Sequence, residues 1–395
     1  MHISQYTASA AILLMAVAGT TACGKKPAPP MTDAVIEPAT TVEKGQDMAG
    51  ISNLPSLEHI AVWAEDISKT AAFLNEALGW KSNPLEFGVA DDNPTFGGMQ
   101  LSFVDANGMW LELVQPTTAG PGMEFLKEKG NGGLVELDFM VADFDRNVAD
   151  LKARGIDVIG MDGKPMTGGG LLKEWVLVDG KRVDADERLS YLPFDLARGT
   201  SIELAWEYPN GAMFVRDSMI APDNTTPASA PRLDHIVVLS ADLEATAKVY
   251  TDILRLPRHP LNAGIHRDWM GLGADAHVWI EANKKGFWIE IVAPPPGTTP
   301  ELLKKNADGT LIELGVEVAD IEAFHGQMAA KGITLTAGDA TPLPAGSKAV
   351  TDAASGDRYA YFPLDRSQGM RILVFQRGPA ATSVFSRRDQ AWQKK

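Results

Sequence analysis

Gly108-Met-Trp-Leu-Glu112-Leu-Val-Gln-Pro116 and Gly133-Leu-Val-Glu136-Leu-Asp-Phe-Met-Val-Ala-Asp143 decide how this chain is read. Both alternate and are rich in β-branched and aromatic residues, the pattern of a strand. In the first, Leu111 and Leu113 face one way and Trp110, Glu112 and Val114 the other. In the second, Val135, Leu137, Phe139 and Val141 share a face, while Glu136 sits with Leu134, Asp138 and Met140. Neither face is uniformly polar, so each glutamate is expected to point into an enclosed space. A carboxylate among apolar neighbours is costly unless it is paired, hydrogen-bonded or bound to a metal.

The pattern recurs. Gly286-Phe-Trp-Ile-Glu290-Ile-Val-Ala-Pro294 leads to Gly309-Thr-Leu-Ile-Glu313-Leu-Gly-Val-Glu-Val-Ala-Asp320, with a Glu-to-Glu spacing of about 23 residues against about 24 in the first copy. Duplication on this scale outranks any single motif. Each copy opens on a similar strand, Leu57-Glu-His59-Ile-Ala-Val-Trp63 and Leu233-Asp-His235-Ile-Val-Val-Leu239. Asp66 is expected to cap a helix over 68–78 that Gly79 ends. Strands follow around 85–90, 99–104 and 109–115. A second unit runs from the strand 134–141 through an amphipathic helix carrying Phe144, Val148 and Leu151 to strands near 174–178, 188–192 and 200–206. Each unit thus reads strand, helix, three strands. The second copy repeats the plan, with helices over 243–254 and Ile321–Ala330 and a last strand over 370–375.

The 395 residues suit two or three domains, and 45% hydrophobic with 22% charged residues is a globular composition. A net charge of −15 argues against nucleic acid or an anionic membrane surface as an electrostatic partner. Cys23 is the only cysteine, so no internal disulfide or thiolate metal site is available. Residues 8–18 form an apolar run too short to span a membrane and shaped like a signal-peptide core. Thr20-Thr-Ala-Cys23 resembles a bacterial lipoprotein processing site. That implies a lipid anchor on Cys23 and, with Gly24 following, an outer-membrane lipoprotein facing the periplasm. An ordinary cleaved signal, giving a soluble periplasmic or secreted protein, is the other reading. The expected organisation is a signal peptide over 1–23, a tether over 24–55, a first domain over 56–207, a linker over 208–231, a second domain over 232–377 and a basic, solvated tail over 378–395.

This α+β plan of four βαβββ units in two tandem domains resembles the vicinal oxygen chelate (VOC) superfamily, which includes glyoxalase I, methylmalonyl-CoA epimerase, extradiol dioxygenases and bleomycin-resistance proteins. Leu-Glu-His59-Ile-Ala-Val…Leu-Gly79, Trp-Leu-Glu112-Leu-Val-Gln-Pro, Glu136…Val141-Ala-Asp143 and Gly199-Thr-Ser-Ile-Glu203-Leu carry the resemblance. It implies that two units pair into a cup around a divalent metal, with ligands on the first and last strands of each unit. By position these are His59, Glu112, Glu136 and Glu203, with Glu203 also the catalytic base and Asp138 a supporting group. Two departures stand out. The third ligand, usually His in the glyoxalase, epimerase and dioxygenase branches, is Glu136 here and Glu313 in the second copy. Pro193…Gly199…Glu203 also aligns with Pro363…Gly369…Leu373, leaving His235, Glu290 and Glu313 as a degenerate second set. If unit one instead pairs with unit four, the full set becomes His235, Glu290, Glu136 and Glu203. Pairing within each half is preferred because the proline-containing linker separates the halves.

One imidazole with three carboxylates is a hard set suited to Mn²⁺, Mg²⁺ or Ca²⁺, with Zn²⁺, Ni²⁺ and Co²⁺ also accommodated. The resemblance then implies a metal-dependent isomerase, lyase or epimerase acting on a small carbonyl-containing substrate through a metal-bound enediolate. The alternative is a metal-free protein that binds or sequesters a small ligand, as in the bleomycin-resistance branch. Extradiol dioxygenase chemistry is weaker, because neither half keeps the second histidine that non-haem Fe(II) requires. His259, His266, His277 and His325 are scattered, Trp110 and Trp288 are cavity wall, and Gly168-Gly-Gly170 is a turn rather than a phosphate loop.

Overall fold

The computed structural model describes residues 54–392 except 92, 94–96, 142, 161–163, 167–169, 173, 179, 185–186, 208–229, 266–275, 284–285 and 295–308. The signal peptide with Cys23, most of the tether, His266 and nearly all of the linker lie outside these residues. Among the described residues, no helix is long and apolar enough to cross a membrane.

The first half contributes β1 (Ser56–Trp63), β2 (Lys81–Ser82), β3 (Glu86–Val89), β4 (Met99–Asp105), β5 (Trp110–Pro116), β6 (Leu134–Met140), β7 (Gly170–Leu172), β8 (Glu174–Val178), β9 (Lys181–Asp184), β10 (Glu187–Tyr191) and β11 (Ser201–Glu207). They form one sheet in the order β7-β10-β11-β6-β1-β5-β4-β3-β8-β9, with β2 on β4. Units one and two therefore share a sheet, which answers the pairing question in favour of pairing within the half. β7 and β8 lie far apart in that order, yet β7 ends at Leu172 and β8 begins at Glu174. So short a connection reaches only if the sheet curls almost closed into a cup. The second half forms a separate sheet, β13-β14-β12-β15-β18-β17-β16. Its strands are β12 (Arg232–Leu239), β13 (Ala276–Glu281), β14 (Trp288–Ala293), β15 (Thr310–Glu317), β16 (Val350–Thr351), β17 (Arg358–Tyr361) and β18 (Ile372–Gln376).

Local chemistry sets the helices. Asp66 accepts from the Lys69 amide to start Ile67–Leu78, and Gly79, at φ 73°, ends it. Asp143, Asp242 and Asp320 cap Phe144–Ala153, Leu243–Lys248 and Ile321–Ala330 in the same way. The third of these units departs from expectation: Leu243–Lys248 passes into a π turn, Val249–Ile253, instead of one helix. An additional helix, Pro121–Lys129, sits between the first two units. The apolar faces of these helices pack on the outer faces of both sheets in one continuous core holding Ile60, Leu111, Phe139, Ile236, Ile289 and Val374. The halves are also stitched through the backbone, with the Leu57 amide donating to the Ala282 carbonyl and the Leu233 amide to the Ala106 carbonyl.

The inner faces are separate. In the first half Ala61, Phe87, Phe103 and Val176 line the cup. In the second Val237, Trp279, Trp288 and Phe375 do so. Bulges modify the simple alternation at two places in each half. On β1, Leu57 pairs with Phe139 and His59 with Asp138, so Glu58 is the extra residue. On β6, Glu136 pairs with Ala61 and Leu134 with Val62, so Val135 is extra. Val135 therefore packs toward the inner cluster, not with Leu137 and Phe139 as strict alternation predicts. The second half repeats both, with Asp234 and Ile312 as the extra residues.

The expected solvated tail is a helix, Val384–Trp392, packed into the second cup with Phe385 and Arg388 fully buried. This corrects the sequence reading: the Val384, Phe385 and Arg388 spacing places one face of the helix inward.

Candidate functional site

β1, β5, β6 and β11 lie side by side, and their register brings the four expected residues onto one wall of the first cup. Ala61 pairs with Glu112 on one side and Glu136 on the other, while Asp138 pairs with both His59 and Glu203. His59 Nε2 faces Glu112 Oε2 at 3.5 Å, and the ring stands edge-on to Phe103. Its Nδ1 faces the other way, 3.8 Å from Asp138 Oδ1 and 4.0 Å from Glu58 Oε2. Glu136 accepts from Ser201 Oγ at 3.4 Å and is half-buried, whereas Glu112 and Glu203 are buried. Tyr191 donates from its phenol to Glu203 Oε2 at 2.6 Å.

Among the described residues, Glu58, His59 and Asp138 also come close enough to share a metal ion, with one ligand atom of each within 4.8 Å of the others. Sequence reasoning assigned Asp138 a supporting role and passed over Glu58 and Tyr191. Glu58 is hidden from an alternation pattern because only the bulge turns it toward the histidine. Tyr191 gives a weak signal, as an aromatic residue ending a strand opposite Glu203.

The electrostatics of the cup are lopsided. Burial, then the charges of Glu203 and Glu112, push the Glu136 carboxyl well above its usual range. Asp138 is raised well above by burial against the opposing pull of His59, and Glu203 by burial and the Asp138 charge. Burial alone would lower the His59 imidazole, but Asp138 and Glu112 override it and hold it well above an ordinary histidine. Among the principal influences on Glu136, Asp138 and Glu203, His59 is the one cationic group. Asp138 is completely buried, and neither of its oxygens has a hydrogen-bond partner. A buried carboxylate without hydrogen bonds is costly, and the His59 imidazole at 3.8 Å offsets only part of that cost. One imidazole with the Glu112, Glu136 and Glu203 carboxylates is a donor set that fits a divalent cation.

Residues 58–171 match the family model described as the Glyoxalase/Bleomycin resistance protein/Dioxygenase superfamily. The chain carries a domain of this superfamily. Among curated relatives, the mitochondrial methylmalonyl-CoA epimerase of Bos taurus is 27% identical over 160 residues, covering 39% of this chain and 88% of the epimerase. Among solved structures, a triple mutant of 4-hydroxymandelate synthase from Streptomyces coelicolor superposes with a TM-score of 0.50 at 13% identity, over 86% of this chain and 99% of that one, a likeness of fold alone. The Mn(II)-bound glyoxalase from Novosphingobium aromaticivorans gives a TM-score of 0.45 at 14% identity, over 82% of this chain and 83% of that one.

The second cup keeps the same frame with different side chains. His235 Nε2 faces Glu290 Oε2 at 3.6 Å, matching His59 and Glu112. Gly315 stands where Asp138 does, opposite His235 and beside Leu373, as Asp138 stands opposite His59 and beside Glu203. The His235 ring lies directly over Gly315, where any side chain would collide with it. Glu290 accepts from or donates to His277 Nδ1 at 2.9 Å. Glu313 is fully buried on the same wall and acts electrostatically on Arg371. Arg388 donates to both Asp234 oxygens at 2.9 Å, under Trp279 and Trp288. His235, Glu290 and Glu313 thus share a wall, but a guanidinium from the chain itself supplies the positive charge.

Proposed function

We propose that the first cup is the divalent-metal site of an isomerase, lyase or epimerase acting on a small carbonyl-containing substrate. The observation that carries this reading is the gathering of His59, Glu112, Glu136 and Glu203 on one wall, with Glu112 and Glu203 buried. His59, Glu112, Glu136 and Glu203 are the residues that would hold the ion. When bound, a divalent metal supplies Lewis-acid polarisation of a carbonyl oxygen.

The remaining chemistry belongs to the chain. Burial and Asp138 raise the Glu203 carboxyl above its usual range, the direction that strengthens it as a base for taking a proton next to a carbonyl and returning it. Tyr191 fixes the carboxylate plane through its bond to Oε2. The apolar wall of Phe87, Phe103 and Val176 excludes water from a charged intermediate. The likeness to an epimerase at 27% identity supports proton transfer at carbon over oxygen chemistry.

A metal-free binding protein is the second reading, favoured by the second cup, which stands without an ion by using Arg388. Elemental analysis of the purified protein separates the two. About one metal per chain, lost in Glu203→Ala, is the expected result. No metal after incubation with Mn²⁺, Ni²⁺ and Zn²⁺ would overturn the metal reading and leave the binding one.

A further inference from the structure

The register of the first sheet sorts the inner wall of its cup into rows. Ala61 pairs with Glu112 and with Glu136, so one row carries carboxylates proposed to hold the ion. The next row begins at Trp63, two residues further along the same strand, a step of about 6.6 Å. It runs through Val114, Leu101, Phe87 and Val176, each paired with the one before it. All of these residues are buried members of the inner cluster. A charged row therefore lies beside an apolar one, and a small organic molecule is long enough to span both.

Trp63 brings the one polar side-chain atom of the apolar row, its indole N–H. The residue is 4% exposed, and Nε1 has no hydrogen-bond partner among the described residues. A buried donor without an acceptor carries its full desolvation cost. The second half shows that the position folds without such a donor. Leu239 stands beside Val292 as Trp63 stands beside Val114, and it packs into its own inner cluster. Phe125, on the helix Pro121–Lys129, meets the Trp63 ring at 5.2 Å and 44°, and Leu126 joins the same cluster. That helix starts without a side-chain cap and leaves Glu124, Lys127 and Glu128 exposed. An oxygen reaches the Trp63 N–H by displacing Phe125.

We infer that the first cup takes a carbonyl compound with an apolar body and a second acceptor oxygen at its far end, bound by Trp63 Nε1–H. The body lies along Val114 and Leu101. Trp63 is then a specificity residue, selecting by one hydrogen bond among molecules of the same shape. The inference rests on the reading that the reacting carbonyl sits at the Glu112–Glu136 row.

The test uses two neutral probes, 2-hydroxy-1-(4-methoxyphenyl)ethanone and its 4-ethyl analogue, which differ by an oxygen in place of a methylene. Calorimetric titration of the purified protein follows measurement of its metal content. The methoxy compound is expected to bind about fivefold tighter, the worth of one neutral hydrogen bond. Trp63→Phe keeps a ring and removes the N–H, and should erase the difference while still melting cooperatively by circular dichroism. In wild-type protein labelled with nitrogen-15 at tryptophan, one indole N–H resonance should move downfield with the methoxy compound and not with the ethyl one. The wild-type comparison decides even where the variant fails to fold. Equal binding of the two probes, no binding of either at millimolar concentration, or a preference that survives in folded Trp63→Phe would each overturn the inference. Metal uptake without a methoxy preference would remove the inference and leave the metal reading. A methoxy preference in protein that takes up no metal would support Trp63 as the selecting donor and remove the metal reading.

Discussion

Replacing Arg388 by methionine keeps most of the volume of a fully buried side chain and removes its charge. Asp234, also fully buried, then loses two hydrogen bonds of 2.9 Å. Breaking one side of a buried ion pair typically costs about 3–5 kcal/mol, because the surviving charge is stranded. Arg232 at 3.4 Å and Arg377 at 3.7 Å from Asp234 Oδ1, with His235 Nδ1 at 2.9 Å from Oδ2, soften the loss. The expected cost therefore sits near the low end, about 3 kcal/mol. Adding Asp234→Asn should recover much of it, since removing both charges is far less damaging than removing one. Urea unfolding followed by tryptophan fluorescence reads this directly, because Trp279 and Trp288 flank the guanidinium.

The pH dependence of that gap has a definite sign. Burial raises the Asp234 carboxyl, but Arg388 and the bond to His235 outweigh it and hold it well below the usual range. The contribution of the pair is complete above the unfolded carboxylate pKa of about 3.9 and is lost as pH falls through the lower folded value. Arg388→Met leaves a buried carboxyl without its guanidinium, which takes up a proton at higher pH, so the gap narrows on acidification. A cost under about 1 kcal/mol, or a double variant less stable than the single one, would refute Arg388 as the built-in cation of the second cup.

Further outcomes follow from the first cup and the seam between halves. In chelator-treated protein the raised Glu136, Asp138 and Glu203 make the folded state hold more protons than the unfolded one above about pH 4. Stability should therefore fall as pH rises from there. The raised His59 acts in the same direction, its contribution present below about pH 6.5 and lost as pH rises through the folded value. Melting temperatures at pH 5 and 8 check this, and a flat or rising trend would sink it. Leu373→Glu should leave metal stoichiometry at the wild-type value, because Gly315 and Arg388 still close the second cup. A second equivalent by elemental analysis would contradict that. Gly369, at φ 86°, has its missing Cβ direction blocked by the Asn131 carbonyl of the other half. Gly369→Ala should cost more than about 1 kcal/mol in a thermal melt, and a neutral result would mean the seam yields.

The parts of this molecule written in short-range pattern were legible. Alternation set Leu111 and Leu113 apart from Trp110 and Val114, and the two core clusters divide these residues in the same way. The equal spacing of Pro193…Glu203 and Pro363…Leu373 aligns Leu373 with Glu203, and in the sheets Glu203 stands beside Asp138 as Leu373 stands beside Gly315. What stayed hidden depends on long-range geometry. A bulge adds one residue without changing composition, so neither the inward turn of Glu58 nor the shift of Val135 leaves a trace in periodicity. Arg388 looked like a solvent charge because its partner, Asp234, lies 154 residues away. The helix Pro121–Lys129 carried a Pro at its first turn and Gly130 at its end, a signal that was present and not used.

The two cups pose one electrostatic problem and answer it differently. Each places an imidazole, a strand glutamate and a bulge acid on the inner wall of a curled sheet, where unbalanced negative charge is destabilising. In the second half three changes act together: Gly315 removes one carboxylate, Leu373 removes another, and Arg388 neutralises Asp234. Any one alone would leave the wall short of charge balance or short of space. In the first half none of the three has occurred, and Asp138 and Glu203 remain buried beside Glu58, Glu112 and Glu136. The first wall kept the carboxylates at the two positions where its copy has Gly315 and Leu373. That contrast is internal to one molecule: the second cup balances Asp234 with Arg388, while the first keeps Asp138 and Glu203 buried on its wall.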